Sequence, residues 1–243
     1  MARVNPLLAI INDIEADLVD TGSEVRGEVR VSAFGSVATT IVPRAVSNLL
    51  KAHPAIEFVF NELEPAEGLK ATAAKQVDLA IVDDLTEAAS YRQILEFYPL
   101  CVDYLGAVLS ADHKFALAGK KSIDLKELAL ERWAMNQAAI SYQSYIVNAC
   151  LAAGFEVKVG CSARNIAATL EMVRTGHFVT VLPALALHAI KDDPDFLVIP
   201  ITPALSRRIF VAVQKGTSKR PAIAATLSAF DKASGWFEPG WQP

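Results

Sequence analysis

From Gly27 onward the chain alternates short strand-like runs with amphipathic stretches of helical period, and this alternation restricts its fold more than any other feature. Residues 28–33 (EVRVSA) read as a first strand, and Phe34-Gly35-Ser36 as a tight turn into a helix. Pro43 falls inside that helical stretch and predicts a kink or a fresh start there. A strand over 56–60, a helix near 67–75 and the buried-looking strand VDLAIV at 77–82 follow. Repeated strand–helix–strand units imply parallel pairing with helices on both faces. Two further strands are expected over 93–97 and 102–109.

A second set begins after the polar loop 110–121. Asp124 and Glu127 have the spacing of a capping box and start a short helix. A strand over 132–135, a helix near 142–153, a strand over 156–159, a helix over 164–175, a strand over 178–182 and a helix from Pro183 complete it. The segments FVFNELEPAEGLKATAAKQVDLAIV and FEVKVGCSARNIAATLEMVRTGHFVTVLP run through the same order of elements. They predict two similar α/β halves, closed by a strand over 208–213 and a final helix near 221–234.

Residues 1–20 stand apart. Asn5-Pro6 is a helix start, and Val4, Leu7, Ile11, Ile14 and Leu18 recur at spacings of three and four, which is an a/d seam barely two heptads long. The same seam fits a helix lying on its own domain. The balance of 23 basic and 27 acidic residues, a net charge of -4, lacks the broad positive field of a self-sufficient nucleic-acid binder. Mean hydropathy is +0.30, yet no apolar run of about 18 residues escapes a charge or polar group, so no membrane span is expected. Cys101, Cys150 and Cys161 make an odd set without C-x-x-C spacing, the usage of a reducing compartment; with no signal peptide legible, the expected location is the cytoplasm.

Two lobes joined by extended segments would hold a ligand in a cleft, at the C-terminal ends of strands and the starts of helices. Ser36 stands at such a place in the first half, and Asn165 beside Arg164 in the second; each hydroxyl or amide also fits a plain helix cap. No G-x-G-x-x-G, G-x-S-x-G or H-E-x-x-H occurs, and Gly22 and Gly27 have P-loop spacing with Glu28 where the lysine would stand. His53, His113, His177 and His188 are scattered. Asp83-Asp84 would serve a metal-dependent enzyme, but no companion motif supports that reading. The residues describe a small-molecule binder with a helical arm, not an enzyme, and imply no cofactor.

The run GEVRVSAFGSVATTIVPRAVSNLLKAHPAIEFVFNE resembles the opening of the effector-binding domain of LysR-type transcriptional regulators, with Gly27, Pro43 and His53-Pro54 at the matching places. VDLAIV at 77–82, LGAVLSADHKFA at 105–116 and LEMVRTGHFVTVLP at 170–183 resemble the family's third strand, crossover strand and helix–glycine–strand–proline step. The similarity covers residues 24–235. It implies an α/β fold of two Rossmann-like lobes joined by two crossover strands, like type 2 periplasmic binding proteins, with an N-terminal helical arm.

By the same resemblance, residues 1–22 form a dimerising linker helix, 27–105 with 209–243 one lobe, and 106–208 the other. Effector would lie between the lobes against Ser36, Thr39, Asn136, Gln137 and Phe210, with Arg164 and Asn165 nearby; a small organic acid, aromatic acids included, is the expected class. Self-association as dimer or tetramer is implied. DNA would be reached only through an N-terminal winged helix-turn-helix absent from this sequence, and RNA polymerase would be a partner of the full-length protein. Four positions depart from the family pattern: Phe178 replaces the second glycine of a G-x-G step, Lys114 a usual proline, Pro65 a hydroxyl residue of some relatives, and Asp83 a basic one. A free-standing solute-binding protein is the rival reading, separated by being monomeric.

Overall fold

A computed structural model of the protein describes residues 24–235. The expected helical arm over 1–22 lies outside these residues. In chain order the strands are β1 (Gly27–Ala33), β2 (Ile56–Glu62), β3 (Leu79–Asp83), β4 (Leu95–Ser110), β5 (Ile123–Asp124), β6 (Arg132–Asn136), β7 (Lys158–Ala163), β8 (Thr180–Pro183), β9 (Phe196–Thr202) and β10 (Ser206–Gln214). The helices are α1 (Gly35–Ala38), α2 (Ile41–Ala52), α3 (Pro65–Ala73), α4 (Lys114–Leu117), α5 (Ile140–Ala152), α6 (Ile166–Arg174), α7 (Ala184–Leu187) and α8 (Pro221–Ser234). The described residues divide into two compact units, 24–101 with 208–235, and 102–207.

In the first unit β1 pairs in parallel with β2 along its whole length, from Gly27 opposite Ile56 to Ala33 opposite Glu62, and with β3 on its other side. β10 returns antiparallel beside β3. The parallel pairing read from the sequence therefore holds for three strands, and the sheet as a whole is mixed. The break expected at Pro43 occurs just before it: α1 ends at Ala38, and α2 starts afresh at Ile41. That places Pro43 in the first turn of α2, where its missing N–H would have had no partner within the helix. α2 buries Ile41, Ala45 and Leu49, spaced by four on one face. α3 opens with Pro65 and a complete capping box between Glu64 and Glu67. Gly68 lets α3 lie close to the sheet, since a Cβ there would stand 3.2 Å from both Ala80 Cβ and Ser32 Oγ.

In the second unit β4 takes β8 and β9 antiparallel, and β5 joins β9 in parallel. β6 and β7 form a separate parallel pair, tied to the segment before β8 through Trp133 opposite Val179. Trp133 is fully buried among Leu105, Leu109, Ile146 and Ile199, and its indole N–H donates to Leu128 O at 3.3 Å. Burying aliphatic or aromatic side chains of this kind stabilises by about 1.5–3 kcal/mol each. Asp124 and Glu127 form both arms of the expected capping box, on a 3₁₀ turn at Leu125–Leu128. The strands expected over 93–97 and 102–109 are one sixteen-residue strand, β4. β9 was not expected, because its apolar run follows an acidic turn without a preceding strand signal. β7 lies further along than the 156–159 expected.

Candidate functional site

Each unit presents the C-terminal ends of its parallel strands as an edge where loops and helix starts gather. In the second unit the register sets Asn136, the last residue of β6, opposite Ala163, the last of β7. Gln137 N–H then donates to Ala163 O at 2.8 Å, which holds the two exits side by side. Asn136, Gln137, Arg164 and Asn165 are thereby brought to one edge.

Two of these four side chains are already engaged. Asn136 Oδ1 accepts from Ala138 N at 3.1 Å and shapes the turn into α5. Asn165 is the N-cap of α6, its Oδ1 accepting from Ala168 N at 2.8 Å. The side chains of Gln137 and Arg164 are exposed. Arg164 gives this edge a permanent positive charge and a planar fork of donors suited to a carboxylate.

In the first unit β1 runs out into Phe34, the N-cap of α1, so Ser36 comes in the first turn and is buried. Its carbonyl accepts from the Thr40 hydroxyl at 2.5 Å and the Thr39 hydroxyl at 3.3 Å. Thr39 is exposed, and its hydroxyl also donates to Gly35 O at 3.1 Å. Phe210 is half-buried on β10 opposite Val82, against the cluster of Leu69, Ala80, Val82, Leu95 and Ala212. The strand ends here are acidic. Glu62 closes β2, and a Cβ on Gly35 would stand 3.2 Å from its Oε1. Asp83 closes β3, buried, accepting from the Thr86 hydroxyl at 3.2 Å. Its neighbour Asp84 is bound by Arg208. Among the described residues no group of three or more acidic, histidine or cysteine side chains is placed to hold a metal ion.

One polar network escaped the sequence reading. Asp103, fully buried on β4, accepts from Arg207 Nε and Nη2 at 3.1 and 2.9 Å and from Leu185 N at 3.0 Å. Burial pushes its carboxyl above the ordinary range, and the Arg207 guanidinium and the backbone N–H groups of Leu185 and Ala184 pull the other way. The Arg207 guanidinium stands 5.5 Å from the centroid of the Tyr142 ring, whose hydroxyl donates to Val181 O at 3.0 Å. Tyr145, one turn along α5, donates to Ser206 O at 3.2 Å. The signal available was a lone aspartate inside the apolar run of β4, since a buried carboxylate demands a partner.

Phe178, the departure from the glycine pattern, packs behind the second unit's parallel pair. A Cβ on Gly160 of β7 would meet its ring at 2.9 Å, and the Arg132 guanidinium lies 5.4 Å from the ring centroid.

Residues 22–234 match the family model described as the LysR substrate binding domain. The chain belongs to that family. Among curated relatives it is similar to the "Uncharacterized HTH-type transcriptional regulator YfeR" of Shigella flexneri, 24% identical over 230 residues that cover 92% of this chain and 70% of that protein. Several further curated relatives are matched over 56% to 64% of their length, so the chain corresponds to part of them. Among solved structures it is similar to the effector binding domain of QuiR in complex with shikimate, with a TM-score of 0.72, 21% identity, and coverage of 87% of this chain and 98% of that one. It is also similar to the BenM effector binding domain with its effector benzoate, with a TM-score of 0.73, 17% identity, and coverage of 89% and 97%. The α/β fold is thus that of LysR effector-binding domains, of the type 2 periplasmic-binding-protein kind. No described helix is long and apolar enough to cross a membrane.

Proposed function

We propose that the chain is the effector-sensing part of a LysR-type transcriptional regulator and that its effector is a small organic acid. The observation that carries this reading is the family match over residues 22–234. The acid class is supported by Arg164, exposed where Asn136 and Gln137 also emerge, and by the ligands named for the two similar structures, shikimate and benzoate, which are both carboxylic acids. Gln137 and Arg164 are the side chains assigned to the acid group. Asn136 and Asn165 act there chiefly by shaping the turns, because their side-chain oxygens accept backbone N–H groups.

On the first unit, Ser36, Thr39 and Phe210 are the assigned effector contacts. Its acidic strand ends favour a ligand that carries donors, such as hydroxyl groups, as well as an acid. Self-association, and DNA and RNA polymerase contacts made with further domains, complete the proposed role in a cytoplasmic regulator, and catalysis has no part in it. Effector alters transcription by binding one arrangement of the protein more tightly than another.

Thermal unfolding against a panel of aliphatic, aromatic and hydroxylated carboxylates tests this. A ligand at 100 times its dissociation constant adds about 2.7 kcal/mol of stability. A selective hit that fades in Arg164→Ala supports the reading; a panel in which only uncharged or cationic compounds stabilise refutes the acid class.

A further inference from the structure

The start of β4 gives the first unit a basic, partly apolar strand edge that effector sensing does not use. β10 runs antiparallel beside β3 with Val213 opposite Leu79, and Lys215 N, just past the end of β10, donates to Ile94 O at 3.0 Å. Residues 94–98 therefore lie near the start of β3, whereas Asp83, the last residue of β3, belongs to the edge assigned to the effector. Backbone groups of a strand alternate between its two sides, so those of Leu95 and Phe97 turn away from β10. Among the described residues no strand pairs with that outer side, because β8 and β9 join β4 only from Leu105 onward. Pro99, which has no N–H to offer, closes the stretch.

The side chains there divide by face. Leu95 is buried and Phe97 half-buried against Leu69 and Ala212, while Ile94 is 49% and Tyr98 37% exposed. Charge is one-sided. The segments 91–98 and 214–220 hold Arg92, Lys215, Lys219 and Arg220 against a single carboxylate, Glu96, in a chain whose acidic residues outnumber its basic ones by 27 to 23. Glu96 is engaged within the protein, accepting from the Tyr98 hydroxyl at 2.8 Å, Gly216 N at 3.3 Å and Ser218 Oγ at 3.2 Å. These bonds hold the 215–218 turn, and with it Lys215 and Lys219, beside the strand. The Arg92 guanidinium stands 5.6 Å from the Phe97 ring centroid, on the other face.

An open strand edge offers main-chain hydrogen bonds, and the charges beside it select which chain takes them. Nucleic acid would use the cations but neither the edge nor the two apolar side chains. We propose that residues 94–98, rimmed by Arg92, Lys215 and Lys219, dock an extended acidic segment of a partner protein, which joins the first unit's sheet as a further strand. Its carboxylates meet the three cations, and its apolar side chains cover Ile94 and Tyr98. This surface goes beyond the ligand-sensing reading, and its test needs no effector.

The test titrates the whole chain at low salt with a short end-blocked peptide of alternating valine and glutamate. The same peptide with lysine for glutamate and a short mixed-sequence duplex DNA are the comparison probes. Amide NMR of the deuterated protein is expected to show shifts confined to residues 94–98 and their neighbours, and slowed exchange of the Leu95 and Phe97 N–H groups, with the acidic peptide alone. Arg92→Glu combined with Lys219→Glu, both at exposed positions, is expected to weaken that binding by at least about fivefold with the thermal midpoint kept. Three results would each overturn the proposal: no shifts at 94–98 with the acidic peptide, equal binding of the lysine peptide, or displacement of the acidic peptide from this edge by the duplex.

Discussion

The Arg207 guanidinium places two of its N–H groups on one oxygen of Asp103, a residue 104 positions earlier in the sequence, at 3.1 and 2.9 Å. The Asp103 side chain is fully buried and that of Arg207 only 4% exposed, so this pair has lost most of its hydration. Such pairs stabilise little compared with apolar replacements of equal size, but removing one partner strands the other.

Asp103→Ala or Arg207→Ala should therefore destabilise by about 3–5 kcal/mol, read from urea unfolding. The joint replacement Asp103→Leu with Arg207→Met should recover much of that loss. Additive losses in the double variant would show that the pair does not act as a unit.

Gly160 and Phe178 form a second coupled pair. A methyl group at 160 would come within 2.9 Å of the Phe178 ring and 3.0 Å of Arg132 Nε, so Gly160→Ala should cost about 1–3 kcal/mol by overpacking. In a Phe178→Leu background the cost should shrink. Equal costs in both backgrounds, measured by thermal unfolding, would contradict this packing.

Much of the fold was legible in the sequence, for identifiable reasons. The capping-box spacing of Asp124 and Glu127 marked the 3₁₀ turn there, and apolar runs bounded by turns marked β1, β3 and β6. The Asp103–Arg207 pair was hidden because its partners are 104 residues apart and neither belongs to a local motif. β4 read as two strands because Tyr98 and Pro99, both exposed, interrupt the apolar pattern. At the candidate site, the sequence placed the end of β6 at Asn136 to within one residue but ended the strand before Arg164 four residues early, and spacing alone did not separate a capping amide such as Asn165 from one such as Gln137 that caps nothing.

Cys150 offers a probe of the second unit's core. Burial pushes its thiol up to about 11, so at pH 8 only about one molecule in a thousand carries the thiolate. Alkylation of Cys150 should be far slower than that of the half-buried Cys101 and Cys161, and should accelerate as pH rises toward 11. Equal labelling rates for the three at pH 8, resolved by mass spectrometry of peptides, would contradict the burial.

Arg174 holds the acidic turn after α7 through Asp193, at 2.9 Å, and Asp195. The hydrogen bonds from Arg174 hold the Asp193 carboxyl below the ordinary aspartate value. A depressed folded value means that the stabilisation is present above the unfolded value of about 3.9 and is lost as pH falls through the lower folded value. Carbon-detected NMR titration should show Asp193 ionised to lower pH than an ordinary aspartate and returning toward the ordinary value in Arg174→Ala. An Asp193 midpoint unmoved by that substitution would break the assignment.

Arg164 is the group through which this chain is proposed to sense an acid. The most direct measurement is calorimetric titration of the best carboxylate from the unfolding panel, and of its neutral amide analogue, into the parent and Arg164→Ala. The expected result is binding of the acid by the parent, a loss of at least about tenfold in Arg164→Ala, equivalent to about 1.4 kcal/mol, and weak binding of the amide by both. Equal affinity for acid and amide, unchanged by the substitution, would contradict it.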